Sequence, residues 1–431
     1  MVKPAVIGHD GRTSALVAAF RRSPRVKGEV PCLSTGRARV GGDLVEDVLA
    51  AAREHRPDFV VIGPEGPLAL GVVDALQGKL GIPCIGPTRK LAQLESSKAF
   101  TRGLLRRHNI PGNPEHRVFR SLDGLEDYCR ELGDFVVKPD GLTAGKGVKV
   151  SGTHLQSARE GAEYAAEVLR THPVVVIEER LDGEEFSLQS FCDGAHVADM
   201  VVVQDHKRAF EGDLGPNTGG MGSYSCPDHR LPFLSEEARR AASAINAAVA
   251  AAIAEETGET YRGILYGGFM LTRQGLRLLE YNARFGDPEA LNVLSLLKTD
   301  LVDICEAIVR GTLDQLPVEF APLATVCKYV VPEGYPDHPV TNTRISLGRV
   351  PAESERLKYY FAAVEQRAEG LYLTGSRAIG FVGIGPDLAQ AEAIAESAAS
   401  AVDGPVFHRK DIGTAALVQQ RSEHMRRLLG A

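Results

Sequence analysis

The sequence predicts an α/β protein built from several lobes, and three observations lead to this prediction. The chain has 431 residues, which is more than one hydrophobic core usually supports. Its first 90 residues alternate between strand-like and helix-like runs, a pattern typical of a parallel sheet. From about residue 320 onwards, short apolar runs and an Ala-rich helix predict a small C-terminal α+β lobe.

Composition and charge narrow the class of protein further. A net charge of −7 argues against nucleic acid or an anionic membrane as a partner, although local Lys and Arg can still hold a small anionic substrate. The chain has no run of about 18 apolar residues, so we expect no membrane-spanning segment. Its seven cysteines are scattered without a CxxC pair, so we expect no zinc site, no disulfide framework and a cytoplasmic location. The sequence leaves a monomer and a homodimer equally open.

The first 90 residues contain three predicted strands and three predicted helices. The strands are VKPAVIG, DFVVIGPEG and IPCIGPT, and the helices are TSALVAAFRRS, LVEDVLAAAREH and LALGVVDALQGKL. The turn GHDGR lies between the first strand and helix, where backbone N–H groups often bind phosphate, yet its Asp10 would repel one. The turn GPEGPL, which contains Glu65, follows the second strand, where open α/β sheets place ligands.

Two lysine-bearing segments follow. A helix over 95–110 carries Lys98 near its start. The run FVVKPDGLTAGKGVKVSG then predicts a strand with Lys138 at its end, a glycine loop with Lys146, and a second strand. Such a loop can lay N–H groups over a polyphosphate while the lysines neutralise its charge. It is not a Walker A loop, and a plain β-hairpin remains an alternative for GKG alone.

The run VVVIEERLDGEEF predicts a strand whose end can contact an adenine edge through its backbone. Glu178, Glu179 and Leu181 lie at that strand end, and Glu185 is placed to accept hydrogen bonds from ribose hydroxyls. A surface hairpin with solvated acids is the alternative. Residues 204–225 contain few apolar side chains and five glycines, so we predict a long functional loop. It suits a small zwitterionic or anionic substrate, and its polar residues are Asp205, His206, Lys207, Arg208, Asp213, Asn217 and Thr218.

The run LLEYNARFGDPEA predicts a metal-binding strand. Glu280 and Asn282 alternate along it and therefore share one face, and a carboxylate beside an amide oxygen suits Mg²⁺. Arg284 is expected on the same face, where it can meet phosphoryl oxygens. The opposite face is apolar, with Leu279, Tyr281, Ala283 and Phe285, which weakens the alternative of an exposed strand face.

Together these motifs resemble the ATP-grasp ligases, because they occur in the order of that superfamily. The motifs are ESSKAF, VKPDGLTAGKGV, IEERLDGEE, QDHKRAFEGDLGPNTGGMGSYS and LEYNARFGDPEALNVL. More narrowly, the chain resembles the phosphoribosylamine–glycine ligase (glycinamide ribonucleotide synthetase) family from about residue 59 to 335, and again at HRKDIG. DHKR together with GPNTGGMG carries most of this resemblance.

The resemblance implies a fold and its cofactors. It implies an ATP-grasp fold with an N-terminal Rossmann-like lobe over 1–94, an ATP-grasp region over 95–318, and a C-terminal α+β lobe over 319–431. A small mobile ATP lobe is expected at about 112–180. The implied cofactors are ATP and Mg²⁺ or Mn²⁺.

The resemblance also implies residue roles. Lys98 and Lys138 would contact the ATP phosphates, and Glu280 and Asn282 would hold the metal. The residues expected around the nucleotide are Lys98, Lys138, Gly145, Lys146, Gly147, Val148, Glu178, Glu179, Leu181 and Glu185. Those expected to act in catalysis are Lys138, Asp205, Lys207 and Arg284. Those expected to bind substrate are Gly11, Arg12, Glu65, Asp205, Lys207, Arg208, Asp213, Asn217, Thr218, Arg284, Asp287, Pro288 and Glu289.

The implied activity is an ATP-dependent carboxylate–amine ligation. A carboxylate, glycine in the family, attacks the γ-phosphate to give an acyl phosphate and ADP. An amine, 5-phosphoribosylamine in the family, then attacks the acyl carbon and expels phosphate. Positioning and charge neutralisation by the protein would dominate catalysis.

One departure leaves alternatives open. The family pattern GSGGREHAL stands here as GHDGRTSAL, and a carboxylate about 5 Å from a phosphate charge costs roughly 3 kcal/mol at an effective dielectric of about 20. Pairing with Arg12 would relieve this cost. The alternative function is a related ligase that joins a different amine in a specialised pathway. A nucleotide-binding regulatory protein is a third hypothesis, disfavoured because Lys138, Glu280 and Arg284 are intact.

Overall fold

The N-terminal part of the protein contains the predicted parallel sheet. The structure, a computed structural model, describes residues 1–33, 43–143 and 147–430. The first elements are β1 (Pro4–Ile7), α1 (Gly11–Arg21), α2 (Leu44–His55), β2 (Phe59–Ile62), α3 (Glu65–Ala69), α4 (Val72–Leu80), β3 (Cys84–Ile85), α5 (Gln93–Ser96) and α6 (Lys98–Arg107). β1, β2 and β3 pair in parallel in that order, so this part of the α/β prediction is confirmed.

Two predicted helices are each divided in the structure. The run LALGVVDALQGKL is split at Gly71, whose φ of +80° lies in the left-handed region that favours glycine. The helix predicted over 95–110 is split at Ser97, whose side chain accepts a hydrogen bond from the N–H of Phe100 and caps α6. The second break places Lys98 in the first turn of α6.

Residues 116–179 form a small lobe with a hydrophobic core of its own. Its elements are β4 (His116–Phe119), α7 (Leu125–Leu132), β5 (Phe135–Pro139), β6 (Lys149–Val150), α8 (Ala158–Leu169) and β7 (Val175–Glu179). The four strands form an antiparallel sheet in the order β4–β7–β5–β6. One face packs on α7 and α8 through residues such as Phe119, Phe135 and Ile177. The other face carries Lys138 and Glu178, because side chains alternate along a strand.

The central part supplies a second antiparallel sheet. Its elements are β8 (Gly183–Cys192), β9 (Val197–Asp199), β10 (Gln204–Asp205), β11 (Arg208–Phe210), β12 (Leu214–Asn217), β13 (Gly222–Ser225), α9 (Glu236–Thr257), β14 (Gly263–Thr272), β15 (Gly275–Asn282), α10 (Glu289–Leu296) and α11 (Leu301–Arg310). The strand order of this sheet is β15–β14–β8–β9.

The prediction of one long loop over 204–225 is wrong. These residues form four short strands, and β13 pairs with β16 of the C-terminal part. Gly222 lies so close to the Cys327 carbonyl that a side chain at this position would collide with it. Glycines required for such close contact hide the alternating pattern of a strand. The sheet that holds the C-terminal strands therefore also holds β10 and β13.

The C-terminal part is a mixture of strands and helices, as predicted. Its elements are β16 (Ala324–Pro332), β17 (Arg344–Ile345), β18 (Leu357–Phe361), β19 (Val364–Arg367), β20 (Gly370–Leu373), β21 (Ile379–Gly385), α12 (Leu388–Ser400), β22 (Val406–Phe407) and α13 (Ala415–Leu429). β16 is buried along its whole length and α12 packs across it. Within the described ranges, no helix combines the length and apolar composition needed to cross a membrane.

Lys328 of β16 joins the C-terminal sheet to α12. Its ammonium lies 2.7 Å from carboxylates of both Glu392 and Glu396 and donates to the carbonyl of Lys410 at 2.7 Å. The lysine side chain is fully buried. Removing one member of a buried ion pair leaves the other charge uncompensated.

We therefore expect Lys328→Met to lower the free energy of unfolding by about 3 kcal/mol. Urea titration followed by circular dichroism measures the change. Lys27→Met, at an exposed lysine, is the control and should leave the midpoint unchanged. A loss below about 1 kcal/mol for Lys328→Met would contradict the account.

Candidate active site

A buried ion-pair cluster joins α6 to the small lobe. Arg102 of α6 binds the Glu178 carboxylate through Nε at 2.6 Å and Nη2 at 3.0 Å, while Lys138 Nζ lies 2.6 Å from the same carboxylate. Burial acts to raise the pKa of Glu178, but Arg102 and Lys138 outweigh it and lower that pKa to about 2. Lys138 and Glu178, both predicted to contact the nucleotide, are thus brought together.

The other predicted nucleotide-binding residues lie around this cluster. Lys98 donates to the Gly141 carbonyl at 3.0 Å, and Glu179 accepts from the Glu115 N–H at 2.9 Å. Leu181 is half-buried between β7 and β8, and Gly147 and Val148 precede β6. Gly145 and Lys146 lie outside the described residues.

Four cations from four segments of the chain converge on Glu280 of β15. Burial acts to raise the pKa of Glu280, but the charges of these cations lower it; they are Lys207, Lys138, Lys98 and Arg284. Lys207 Nζ lies 4.0 Å from Glu280 and 3.1 Å from Glu185. A polyanion is the kind of ligand that such a concentration of positive charge binds.

Glu280 and Asn282 are the two residues predicted to bind the metal. The Glu280 side chain is 43% exposed, and the Asn282 Oδ1 accepts from Arg284 at 3.3 Å. Among the described residues, no group of three or more acidic, His or Cys side chains could hold a metal. A carboxylate and an amide two positions apart on β15 are groups that fit Mg²⁺, which keeps several waters and phosphate oxygens as ligands.

A β-bulge in β15 changes which side chains of this strand are buried. Residue pairing between β14 and β15 shifts at Gly268 and Phe269, so Leu278 is buried while Leu279 is only half-buried. The prediction that Leu279 lies on the apolar face is therefore wrong. The bulge also presents the carbonyls of residues 278 and 279 to Arg102, at 2.9 and 2.7 Å.

Asp205, the last residue of β10, and Lys207, two positions later, lie in the region around Glu280. Burial raises the pKa of Asp205 to about 7, with Glu289 and Glu185 adding to the rise and Lys207 opposing it. The intervening His206 is buried, and burial lowers its pKa. Asp205 is therefore a carboxyl group whose charge changes near neutral pH.

The rest of the predicted substrate loop is held by other contacts. Asp213 binds Arg409 at 2.9 Å and also Arg421, so its carboxylate is engaged by the C-terminal segment. Arg208 donates to the Gly215 carbonyl at 2.8 Å and pairs with Asn217 across β11 and β12. Thr218 donates its hydroxyl to the Lys207 carbonyl at 2.9 Å, which fixes the backbone beside Lys207.

Asp10 caps α1 and is paired with Arg12. Its carboxylate accepts from the N–H of Thr13 at 3.0 Å, from the Thr13 hydroxyl at 2.8 Å, and from Arg12 at 2.6 and 2.8 Å. Burial acts to raise the pKa of Asp10, but Arg12 and Thr13 hold it well below its usual range. The positive end of α1 and Arg12 therefore neutralise the charge that the sequence places in this turn.

Arg12 belongs to a chain of ion pairs that runs through Glu65 and Arg284 to Glu95. Glu65 lies 3.9 Å from Arg12 and 3.3 Å from Arg284, and Arg284 lies 2.9 Å from Glu95. Arg12 also donates to the Phe285 carbonyl at 2.8 Å. The N-terminal lobe is thereby joined to the strand end that carries Glu280 and Asn282.

Asp287, Pro288 and Glu289 lie at the start of α10 beside α1. Asp287 accepts from the Tyr329 hydroxyl at 2.6 Å and lies 3.3 Å from Arg377. A side chain on Gly11 would collide with that hydroxyl, so Gly11 permits a close approach of α1. Pro288 is the N-cap residue of α10, and the buried Glu289 accepts from Tyr266 at 2.7 Å.

Three charged residues of this site were not predicted from the sequence: Arg102, Glu95 and Arg377. Lys98 and Arg102 are spaced i, i+4 and so share a helix face, which is a signal that could have indicated Arg102. Glu95 stands in the motif ESSKAF, but its partner is almost 200 positions away. Nothing local marks Arg377, which donates to the carbonyls of Gly219 and Asp287.

The chain matches three domains of one protein family. These are the N domain of phosphoribosylglycinamide synthetase over residues 2–95, its ATP-grasp (A) domain over residues 96–290, and its C domain over residues 325–415. The match to the A domain covers Glu280 and the four cations around it.

Similar proteins and structures agree with this match. Phosphoribosylamine–glycine ligase of Methanoregula boonei is 47% identical, with 99% of this chain and all of that protein aligned, and the Methanocella arvoryzae protein of that name is 46% identical over the whole of both. The crystal structure of the Thermotoga maritima ligase has a TM-score of 0.79 at 27% identity and covers 95% of this chain and all of that chain.

A Campylobacter jejuni biotin carboxylase, crystallised as a β-γ-ATP complex, shares the fold at 14% identity, with a TM-score of 0.74 and 99% of each chain covered. The ATP-grasp fold is therefore confirmed. The chain belongs to the phosphoribosylglycinamide synthetase family.

Proposed function

We propose that the protein joins glycine to 5-phosphoribosylamine at the expense of ATP, forming glycinamide ribonucleotide for purine biosynthesis. The observation that carries this proposal is the convergence of Lys98, Lys138, Lys207 and Arg284 on Glu280. A glycine carboxylate oxygen attacks the γ-phosphorus, giving glycyl phosphate and ADP. The amine then attacks the acyl carbon, loses a proton, and expels inorganic phosphate.

The cleft beside Lys138 is the proposed ATP site. Lys98 and Lys138 neutralise the phosphates, and Gly147 and Val148 are proposed to contact them. Gly145 and Lys146, expected in the same role, lie outside the described residues. Glu178, Glu179 and Leu181 frame the adenine, and Glu185 contacts the ribose. Arg102 fixes Glu178 from the opposite side, which positions the Lys138 ammonium toward the cleft.

Glu280 and Asn282 are the proposed ligands of Mg²⁺, with Mn²⁺ as the alternative ion. A bound divalent cation supplies charge neutralisation of the phosphates. Support comes from a related fold, since the biotin carboxylase domain of the Hydrogenobacter thermophilus 2-oxoglutarate carboxylase was crystallised with MgADP, at 14% identity. Arg284 stands beside Asn282 and is placed to stabilise the transferring phosphoryl group.

The two organic substrates are proposed to meet between β10 and α1. Asp205 binds the glycine ammonium, Lys207 steadies the carboxylate during phosphorylation, and the residues at 208–218 and 287–289 shape this side of the site. On the amine side stand Gly11, Arg12 and Glu65. The pairing of Asp10 with Arg12 relieves the repulsion expected between Asp10 and a phosphate. The Methanoregula boonei and Methanocella arvoryzae relatives, both named phosphoribosylamine–glycine ligase, support phosphoribosylamine as the amine.

The working unit is proposed to be a monomer or homodimer in the cytoplasm, with small-molecule partners and without nucleic acid or membrane. We also propose the domain division 1–94, 95–318 and 319–431, with the small lobe at about 112–180. The separate hydrophobic cluster between Phe119 and Ile177 supports the small lobe.

A coupled assay of ADP release tests the proposed function. The full chain is supplied with MgATP, glycine and phosphoribosylamine generated in situ, and each substrate is omitted in turn. We expect ADP release that requires both glycine and the amine. Equal release without the amine would contradict the proposal.

Glu280→Gln is expected to lower kcat for ADP release by roughly 100-fold, or about 2.7 kcal/mol, because it removes a charge from the proposed metal site. Glu237→Gln, at an exposed residue of α9, is the control. Retention of more than half the activity in Glu280→Gln would contradict the metal assignment.

The raised pKa of Asp205 predicts a pH-dependent affinity for glycine. The carboxyl group ionises as pH rises through about 7, and only the ionised form attracts an ammonium. We expect KM for glycine to rise roughly tenfold as pH falls from 8 to 6, and Asp205→Asn to lose this dependence. The same pH profile in the variant would show that Asp205 does not bind glycine.

Asp10→Ser tests the departure at α1. Serine keeps the helix cap but removes the negative charge and frees Arg12 for an anionic substrate. We expect KM for phosphoribosylamine to fall about tenfold, with KM for ATP and glycine unchanged. Asp387→Ser changes a comparable cap on α12 and is the matched control. A raised KM for the amine would show instead that the Asp10–Arg12 pair assists its binding.

A further inference from the structure

A cavity of about 450 Å³ lies between α6 and the edge strand β4 of the small lobe. It is lined by Ala99, Gly103 and Arg106 of α6, whereas Lys98 and Arg102 occupy the neighbouring face of that helix and reach the nucleotide cleft. His116 of β4 lines the cavity and stands directly opposite Glu178 in the sheet. The cavity and the cleft therefore share one sheet face, with α6 between them.

The charge in this cavity is positive and largely uncompensated. Among the described residues, the side chains of Arg106 and Arg120 have no hydrogen-bond or ion-pair partner. Arg107 is held by Glu256 at 2.6 and 2.7 Å. The one carboxylate in the described lining, Asp140, accepts from the Ser97 hydroxyl and the Ala99 N–H, both at about 3.0 Å, so it does not pair with these arginines.

Burial is the main cause that lowers the pKa of His116, and the charges of Arg102 and Arg106 lower it further. The Pro114 carbonyl and Glu178 act in the opposite direction. An anion in the cavity would replace water beside Arg106 and Arg120.

Part of the wall of the cavity is apolar. Phe100 and Val174 line it, together with Val118, whose side chain is 36% exposed. Cavities of several hundred cubic ångströms with apolar walls and a few placed polar groups are typical of small-molecule sites. A ligand that matches both the arginines and the wall carries a phosphate on an apolar, ring-containing body.

We propose that this cavity is a second ligand site, distinct from the ATP cleft, for a phosphate-bearing anion of mononucleotide size. Arg106 and Arg120 bind the phosphate, and Phe100 and Val118 contact the body of the ligand.

Binding of AMP to the full chain tests this proposal by isothermal titration calorimetry. Titrations are made with saturating Mg²⁺ and a non-hydrolysable ATP analogue, so that the ATP cleft is filled. We expect one AMP to bind under these conditions, and Arg106→Ala/Arg120→Ala to weaken it at least tenfold. Arg53→Ala, at an exposed arginine of α2, should leave AMP binding unchanged.

Three results would overturn the proposal. The first is loss of AMP binding when the ATP analogue is present. The second is AMP binding of unchanged affinity in the double variant. The third is inorganic phosphate binding as tightly as AMP, because the apolar residues of the cavity would then contribute nothing to affinity. Thermal unfolding of the double variant shows whether it is folded. The measurement rests on the proposed ATP cleft, but neither glycine nor the amine enters it, so its outcome does not depend on which substrates the protein joins.

Discussion

The convergence of Lys98, Lys138, Lys207 and Arg284 on one carboxylate, Glu280, is the constraint on which the rest of the structure depends. Like charges brought together in a partly buried cleft repel each other, so each must be held by its own support. Lys98 donates to the Gly141 carbonyl, and the other three cations are paired: Lys138 with Glu178, Lys207 with Glu185, and Arg284 with Glu95. Under the proposed function, this arrangement would hold the positive charges in place before a polyanion binds and so lower the reorganisation required during phosphoryl transfer.

The same reasoning explains how separate lobes build one site. Arg102 crosses from α6 to Glu178 of the small lobe and to two carbonyls of β15. On the other side, Arg12 and Glu65 of the N-terminal lobe extend to Arg284. The Arg102–Glu178 pair is buried and the Arg12–Glu65–Arg284 connection is partly buried, and a buried charge without its partner is costly. The relative placement of the lobes and the chemistry of the site therefore rest on the same ion pairs.

The parallel sheet of the N-terminal part was predicted correctly from the periodicity of the sequence. The role of Glu280 and Asn282 as metal ligands, which rests on a distinctive motif, stays a prediction. The sequence did not predict the bulge that moves Leu279 from the apolar face, because bulges follow from pairing with β14. The strands within 204–225 were missed because they contain glycines that allow close contact with another backbone, and glycine-rich sequence is also typical of loops. The repulsion expected from Asp10 is cancelled by Arg12, a side-chain geometry that composition does not reveal. Arg377 was missed because its partners are distant in the chain.

Transfer of oxygen from glycine to phosphate is the most direct test of the central claim that the cleft activates a carboxylate through an acyl phosphate. The enzyme is supplied with MgATP, the amine and glycine labelled with ¹⁸O in its carboxyl group, and the inorganic phosphate is analysed by mass spectrometry. Attack of the carboxylate on the γ-phosphorus predicts one ¹⁸O atom in each phosphate released. Phosphate that contains no label would contradict the account, since it would arise from attack by water on ATP.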